Sequence, residues 1–191
     1  MNKLSKSQPS AQGETVNSGQ ELEDPADRAF IRAIKKSVEE NNASAIDLFG
    51  RICDYHRTKL SLVRATLFIV SKRDRQLKSF ALWDQGSIRA GVMVHVPRER
   101  SAFYELLEAH CNKTFSPAAC FNGSLIEEKL SIVNNSGALL LSPLYCDGVA
   151  VGMIAFNSSE RRPFAESKVT LETALAYFAN GFASQKFLKG A

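Results

Sequence analysis

With 191 residues, the chain is long enough for one domain with a proper core and hardly long enough for two. A hydrophobic share of 45% and a charged share of 23% exclude wholesale disorder. The net charge of +4 is too small to mark a nucleic-acid binder, and no apolar run reaches the length of a membrane span.

Residues 1–23 carry almost no large apolar side chain and cannot offset their own ordering entropy, so a disordered tail is expected there. The first ten residues lack the hydrophobic core of a signal peptide. The expected location is cytoplasmic, with no membrane contact and with Cys53, Cys111, Cys120 and Cys146 mostly reduced. Asp24-Pro25 suits a helix start, because Asp can accept from free amides and Pro fits the first turn. This predicts an N-terminal helix within 24–42 with Phe30 or Ile31, Ile34 and Val38 on its apolar face, separate from a domain over 43–191. Ser44 with Asp47 forms a capping-box pattern, followed by Leu48, Phe49, Ile52 and Cys53 at helical spacing.

Beyond Ser61 the apolar runs shorten. Ala65 to Val70 and Ser79 to Trp83 read as strands joined by a charged turn, and Gly91 to Val96 reads as a third strand that Pro97 ends. Ser101 to His110 is helical by periodicity, and residues 111–137 form a loop-rich insertion with a second capping-box pattern at Ser124 and Glu127. Two long apolar runs then flank Asp147-Gly148, a strong hairpin signal because both turn positions need positive φ. After Pro163, Leu171, Leu175, Phe178 and Phe182 recur at helical spacing, predicting a terminal helix that starts near Phe164. Sequential antiparallel strands with helices at both ends define an α+β domain, and the insertion crossing the sheet is a natural roof for a pocket.

The run from Ala138 through Ser142-Pro143-Leu144, then Asp147-Gly148, Val151-Gly152-Met153-Ile154-Ala155-Phe156, Phe164 and the terminal helix resembles the GAF family of small-molecule-binding regulatory domains. The likeness extends over about residues 43–187. It implies a GAF-like (profilin/PAS-like) central antiparallel sheet of five or six strands. Terminal helices would cover one face, often pairing as a dimer bundle, and the insertion would lie over a ligand pocket on the other. The resemblance does not name a ligand or cofactor. The signature of the cyclic-nucleotide phosphodiesterase members is absent, the Cys-His order of bilin attachment is reversed in His110-Cys111, and the cysteine contexts of the free methionine sulfoxide reductases are missing. No catalytic residue carries over.

Trp83, Phe115 and Phe121 are the candidate pocket walls, since aromatic faces suit a planar ligand, with Ser142 and Tyr145 as polar contacts. Strand alternation sends Ser142 and Tyr145 to opposite faces, so at most one can enter the pocket. Cys111 and Cys120, near His110 and His95, lack the close spacing of a structural zinc site, so no metal is expected. Lys72, Arg73, Arg75 and Lys78 read as a solvated hairpin tip rather than a nucleic-acid patch.

These features point first to a sensory module that binds an unidentified small molecule and acts through a homodimer or a protein effector in signal transduction, without catalysis. A ligand-free dimerisation module is the alternative, with Ile31, Ile34, Val38, Leu171, Leu175, Phe178 and Phe182 as its interface. A cysteine-based redox enzyme is the third reading.

Overall fold

The computed structural model describes residues 24–91, 93–133, 136–164 and 168–183. The expected tail over 1–23 lies outside them. Helix α1 (Pro25–Glu39) is capped by Asp24, whose Oδ1 accepts from the Ala26 amide at 2.8 Å. Helix α2 (Ala45–Lys59) begins with a complete capping box. The Asp47 amide donates to Ser44 Oγ, and the Ser44 amide donates to Asp47 Oδ2, both at 3.1 Å. Strands β1 (Leu62–Val70), β2 (Leu77–Asp84) and β3 (Ser87–Ala90) follow. The insertion holds α3 (Ala102–Ala109), β4 (Lys113–Phe115), a 3-10 turn at Ala118–Cys120 and α4 (Leu125–Ser131). The hairpin β5 (Ala138–Cys146) and β6 (Val149–Ser158) then leads to α5 (Lys168–Ala183). Residues 165–167, part of the expected helix start, fall outside the described residues.

The six strands form one antiparallel sheet in the order β3-β2-β1-β6-β5-β4. The third strand is not at Gly91 to Val96. It lies upstream, because Gln85 (φ 48°) and Gly86 (φ 95°) adopt the two positive-φ positions of a tight hairpin that pairs Asp84 with Ser87. Part of the expected segment still runs beside β2, where the Ser79 amide donates to Val94 O and the Val96 amide to Leu77 O. Val92 lies outside the described residues.

Alternation along the strands creates two cores. On one face Ala65, Leu67, Trp83, Leu140, Ile154 and Phe156 pack under α1, α2 and α5. On the other, Phe68, Leu139, Leu141, Met153 and Ala155 pack under α3 and α4. The stripe expected to form a dimer interface belongs to the first core. Ile31, Ile34, Leu171, Leu175, Phe178 and Phe182 are buried within the chain, and the partly buried Val38 packs against them. The helical periodicity reported a buried face, and the chain's own sheet and neighbouring helices bury it. Helix α1 shares this core with α2 and α5, so the structure gives no separation between 24–42 and the rest.

Strand β6 comes very close to β1 at Gly152. A Cβ placed there would stand 2.4 Å from the Phe68 carbonyl oxygen, a backbone atom that cannot yield without moving the strand. Gly152→Ala is therefore expected to destabilise the fold by at least ~1–3 kcal/mol, the cost of overpacking a tight interior. The urea midpoint should fall accordingly, and an unchanged midpoint would show that the two central strands separate freely.

Candidate functional site

The face beneath the insertion is filled by its own side chains. Phe103 packs edge-on against Phe68 at 5.0 Å between centroids, while Phe121 contacts Phe103 at 6.0 Å and Phe115 at 5.1 Å. Phe121 is buried and Phe115 half-buried in this cluster. Trp83 does not join them. It is buried on the opposite face beneath α2, where its indole Nε1 donates to Asp54 Oδ1 at 2.8 Å. The three expected pocket walls therefore line no common cavity, because Trp83 lies on the other side of the sheet and the two phenylalanines seal the insertion core. Tyr145 turns toward α3, donating from its hydroxyl to Leu107 O at 2.6 Å and stacking on His110 at 4.3 Å. Ser142 lies on the α5 face.

A buried carboxylate clamps the insertion. Glu127, in the first turn of α4, is 0% exposed. Its Oε1 accepts from Ser101 Oγ at 2.5 Å and from the Phe103 amide at 2.9 Å, while Oε2 accepts from the Ser124 amide at 2.7 Å. One side chain thus serves the positive N-terminal ends of both α3 and α4. At the other end of α4, Asn157 of β6 donates from Nδ2 to Ser131 O, and its Oδ1 accepts from the Val133 amide at 3.4 Å. Thr66 Oγ1 of β1 donates to Leu130 O at 2.8 Å. Strand alternation alone gives these polar residues no special mark, because each looks like an ordinary inward position until α4 is seen over it.

A well-lined open space lies on the α5 side. A cleft of about 360 Å³ runs between α5 and the β4–β5 edge of the sheet. Leu140, Phe164, Leu171 and Leu175 make an apolar floor. Thr114, Ser116 and Ser142 supply hydroxyls, and Arg161, Arg162 and Lys168 stand along the wall. A hydrogen-bonded bridge crosses it. Ser142 Oγ donates to Asn112 Oδ1 at 2.9 Å, and Asn112 Nδ2 donates to Glu172 Oε1 at 2.8 Å. Beyond this bridge a second cleft of about 420 Å³ continues past His110, Cys111, Tyr145, Ala176 and Ala179, sharing Asn112, Ser142, Glu172 and Leu175. Of the five expected ligand residues, Ser142 alone borders the first cleft, and Ser142 and Tyr145 both border the second. Asn112, Thr114, Ser116, Arg161 and Arg162 escaped the sequence reading because they come from in and around an edge strand of three residues and from the β6–α5 connection, while Leu171 and Leu175 of α5 were legible only as an apolar stripe.

A polar cluster joins the three helices elsewhere. Asp27 Oδ1 accepts from Tyr55 Oη at 2.5 Å and Lys59 Nζ at 2.6 Å, and Oδ2 accepts from Thr170 Oγ1 at 2.8 Å. Burial opposes the charge on Asp27, yet the bonds from Lys59, Tyr55 and Thr170 outweigh it and hold the carboxyl below its usual range. The same Asp27 bond leads in raising the Lys59 ammonium above its ordinary value. Cys53 is buried, and its thiol is pushed well up by desolvation, which makes it a poor nucleophile. Cys111 and Cys120 are exposed. Among the described residues no group of three or more His, Cys, Asp or Glu could hold a metal ion, and no helix is long and apolar enough to cross a membrane.

No protein-family model matches the sequence, and no curated protein matches it at a significant level. Solved structures do match. The GAF domain of a phosphoenolpyruvate-protein phosphotransferase from Coxiella burnetii aligns with a TM-score of 0.63 and 15% identity, covering 86% of this chain and 96% of that one. The GAF domain of a two-component sensor histidine kinase from Bacillus halodurans gives 0.61 and 16%, covering 76% and 97%. The free methionine-R-sulfoxide reductase from Neisseria meningitidis, solved with its substrate, gives 0.59 and 13%, covering 90% and 96%. At these identities the likeness is one of fold: the chain has a GAF-like fold, built as a six-stranded antiparallel sheet with terminal helices on one face and a helical insertion on the other.

Proposed function

We propose that this chain is a sensory GAF-type module in signal transduction, non-enzymatic, whose small-molecule seat is the cleft between α5 and the β4–β5 edge. The observation that supports this reading is the composition of that cleft, an apolar floor with a few convergent polar groups, in a molecule whose insertion face is packed with its own aromatic side chains. The GAF domain of a sensor histidine kinase and a segment of a methyl-accepting chemotaxis protein share its fold. A ligand can signal only by binding one arrangement better than another. Here the element to be biased is α5, which the Asn112–Glu172 bond ties to the edge of the sheet and which the Thr170–Asp27 bond ties to α1. Output would pass along these helices to a second copy or to a protein effector. A ligand-free dimerisation module would have to use the outward faces of α1 and α5, since the residues first assigned to its interface lie in the core.

Native mass spectra of the full chain, recorded before and after denaturation, test the seat. A non-covalent mass released on unfolding is expected from the wild type and not from Thr114→Trp, which places an indole in the cleft from an exposed strand position. The same mass recovered equally from both proteins would put the seat elsewhere.

A further inference from the structure

We propose that the ligand of this cleft is an amphiphilic organic anion, its carboxylate or phosphate held by Arg161, Arg162 and Lys168 and its apolar body lying on Leu140, Phe164, Leu171 and Leu175 toward the Asn112 bridge. The inference rests on the cleft being the ligand seat and adds the chemical class. Charge carries the argument. Three cations border the cleft against one carboxylate, Glu172, and that carboxylate is already engaged by Asn112 at 2.8 Å and by Lys168 at 3.9 Å. Among the described residues no ion pair engages Arg161 or Arg162, so an incoming anion need not displace a partner from either guanidinium. Arg also offers a planar fork of donors that suits a carboxylate or phosphate.

The floor is the second observation. Leu140, Phe164, Leu171 and Leu175 are each nearly covered, yet they leave one apolar surface facing the space rather than closing it. A small hydrated anion would leave that floor wet, and a neutral hydrocarbon would leave the guanidinium groups unused. A molecule with both parts matches both surfaces. The bridge from Ser142 through Asn112 to Glu172 stands where the first cleft meets the second. A body long enough to reach it passes into the second cleft only by pushing the Asn112–Glu172 bond apart, which would loosen α5 from the edge strand.

Calorimetric titration of the full chain with decanoate, decyl phosphate and 1-decanol tests this. Both anions are expected to bind about tenfold or more tightly than the alcohol, and to weaken as salt rises, because the charges are exposed and screened. The pair of substitutions Arg161→Gln and Arg162→Gln should remove most of the preference by weakening the anions, with only Lys168, already paired with Glu172, left to attract them. Decanoate and decyl phosphate binding equally would mean that charge alone is read, whereas a strong bias to one would identify the head group. Equal affinity for decanol and the anions, or an anion preference undiminished by the two Arg substitutions, overturns the proposal. If Thr114→Trp still abolishes binding in that case, the seat stands and only the ligand class fails. No binding of any probe up to about 1 mM, the weak end of specific affinity, also overturns the proposal, and the seat is then judged by the native mass comparison.

Discussion

Glu127→Ala should lower the stability of the domain by about 3–5 kcal/mol and release the insertion from the sheet. The wild-type carboxylate is fully buried and accepts from three donors, Ser101 Oγ and the amides of Phe103 and Ser124. Removing it takes one acceptor from each of two helix N-termini, although Ser101 Oγ still accepts from the Tyr104 amide and Ser124 Oγ from the amide of residue 127, so each helix keeps its own cap. The loss is that of the three donors left without Glu127, at about 1–3 kcal/mol each where water cannot reach them. Glu127→Gln separates shape from chemistry. The amide fills the same space, but if its oxygen serves Ser101 and Phe103, its NH2 must face the Ser124 amide, donor against donor. An intermediate loss is expected, read from urea midpoints, with amide exchange rising first in α3 and α4. A Glu127→Gln protein as stable as the wild type would show that packing alone holds the insertion.

This clamp illustrates what the sequence could and could not carry. Short-range signals were legible. Asp24, Ser44 and Ser124 each begin a helix, and Asp147-Gly148 turns the central hairpin with φ of 50° and 74°, because caps and tight turns depend on residues a few positions apart. Ser124 and Glu127 were visible as a capping box, but the second use of Glu127, across 26 residues to Ser101, depends on how the insertion folds back. Trp83 shows the same limit. Alternation says that it points to one face of a strand, and only the pairing of β2 with β1 and the placing of α2 say which face that is. The apolar stripe of α5 announced burial without announcing what would bury it. Strand β4, Lys113-Thr114-Phe115, is too short for any periodicity, yet it forms one wall of the cleft. The edge-strand cleft was therefore out of reach of sequence reasoning, while the order of elements that frames it was not.

Between about pH 6.5 and 4, the protein should lose stability by about 3 kcal/mol through one residue, His56. Its side chain is 0% exposed on α2, and among the described residues neither ring nitrogen has a hydrogen-bond partner. Phe30 of α1 and Tyr55 meet the ring edge to face at 5.7 and 5.2 Å. Burial drives its pKa down to about 4; the nearby Asp27 charge pulls upward and the Lys59 charge pushes further down. The imidazole therefore stays neutral in the folded state while the unfolded chain takes up a proton near pH 6.5. As pH falls through this window the unfolded state binds more protons than the folded one, so folding weakens, and below pH 4 His56 adds no further slope. Asp27 acts in a separate and lower window. Its folded carboxyl is held below the usual range, so the stability it contributes is present above about pH 4 and is lost in stronger acid. His56→Leu removes two unsatisfied polar atoms from an apolar setting at similar size, so stability at neutral pH should hold or rise. Its stability should also stay nearly flat from pH 6.5 to 4, with the Asp27 loss below that window intact. Urea unfolding across this pH series separates His56 from the carboxyls held low, Asp27 and Asp47 among them, and a wild-type slope that survives in His56→Leu would mean that the acid sensitivity lies elsewhere.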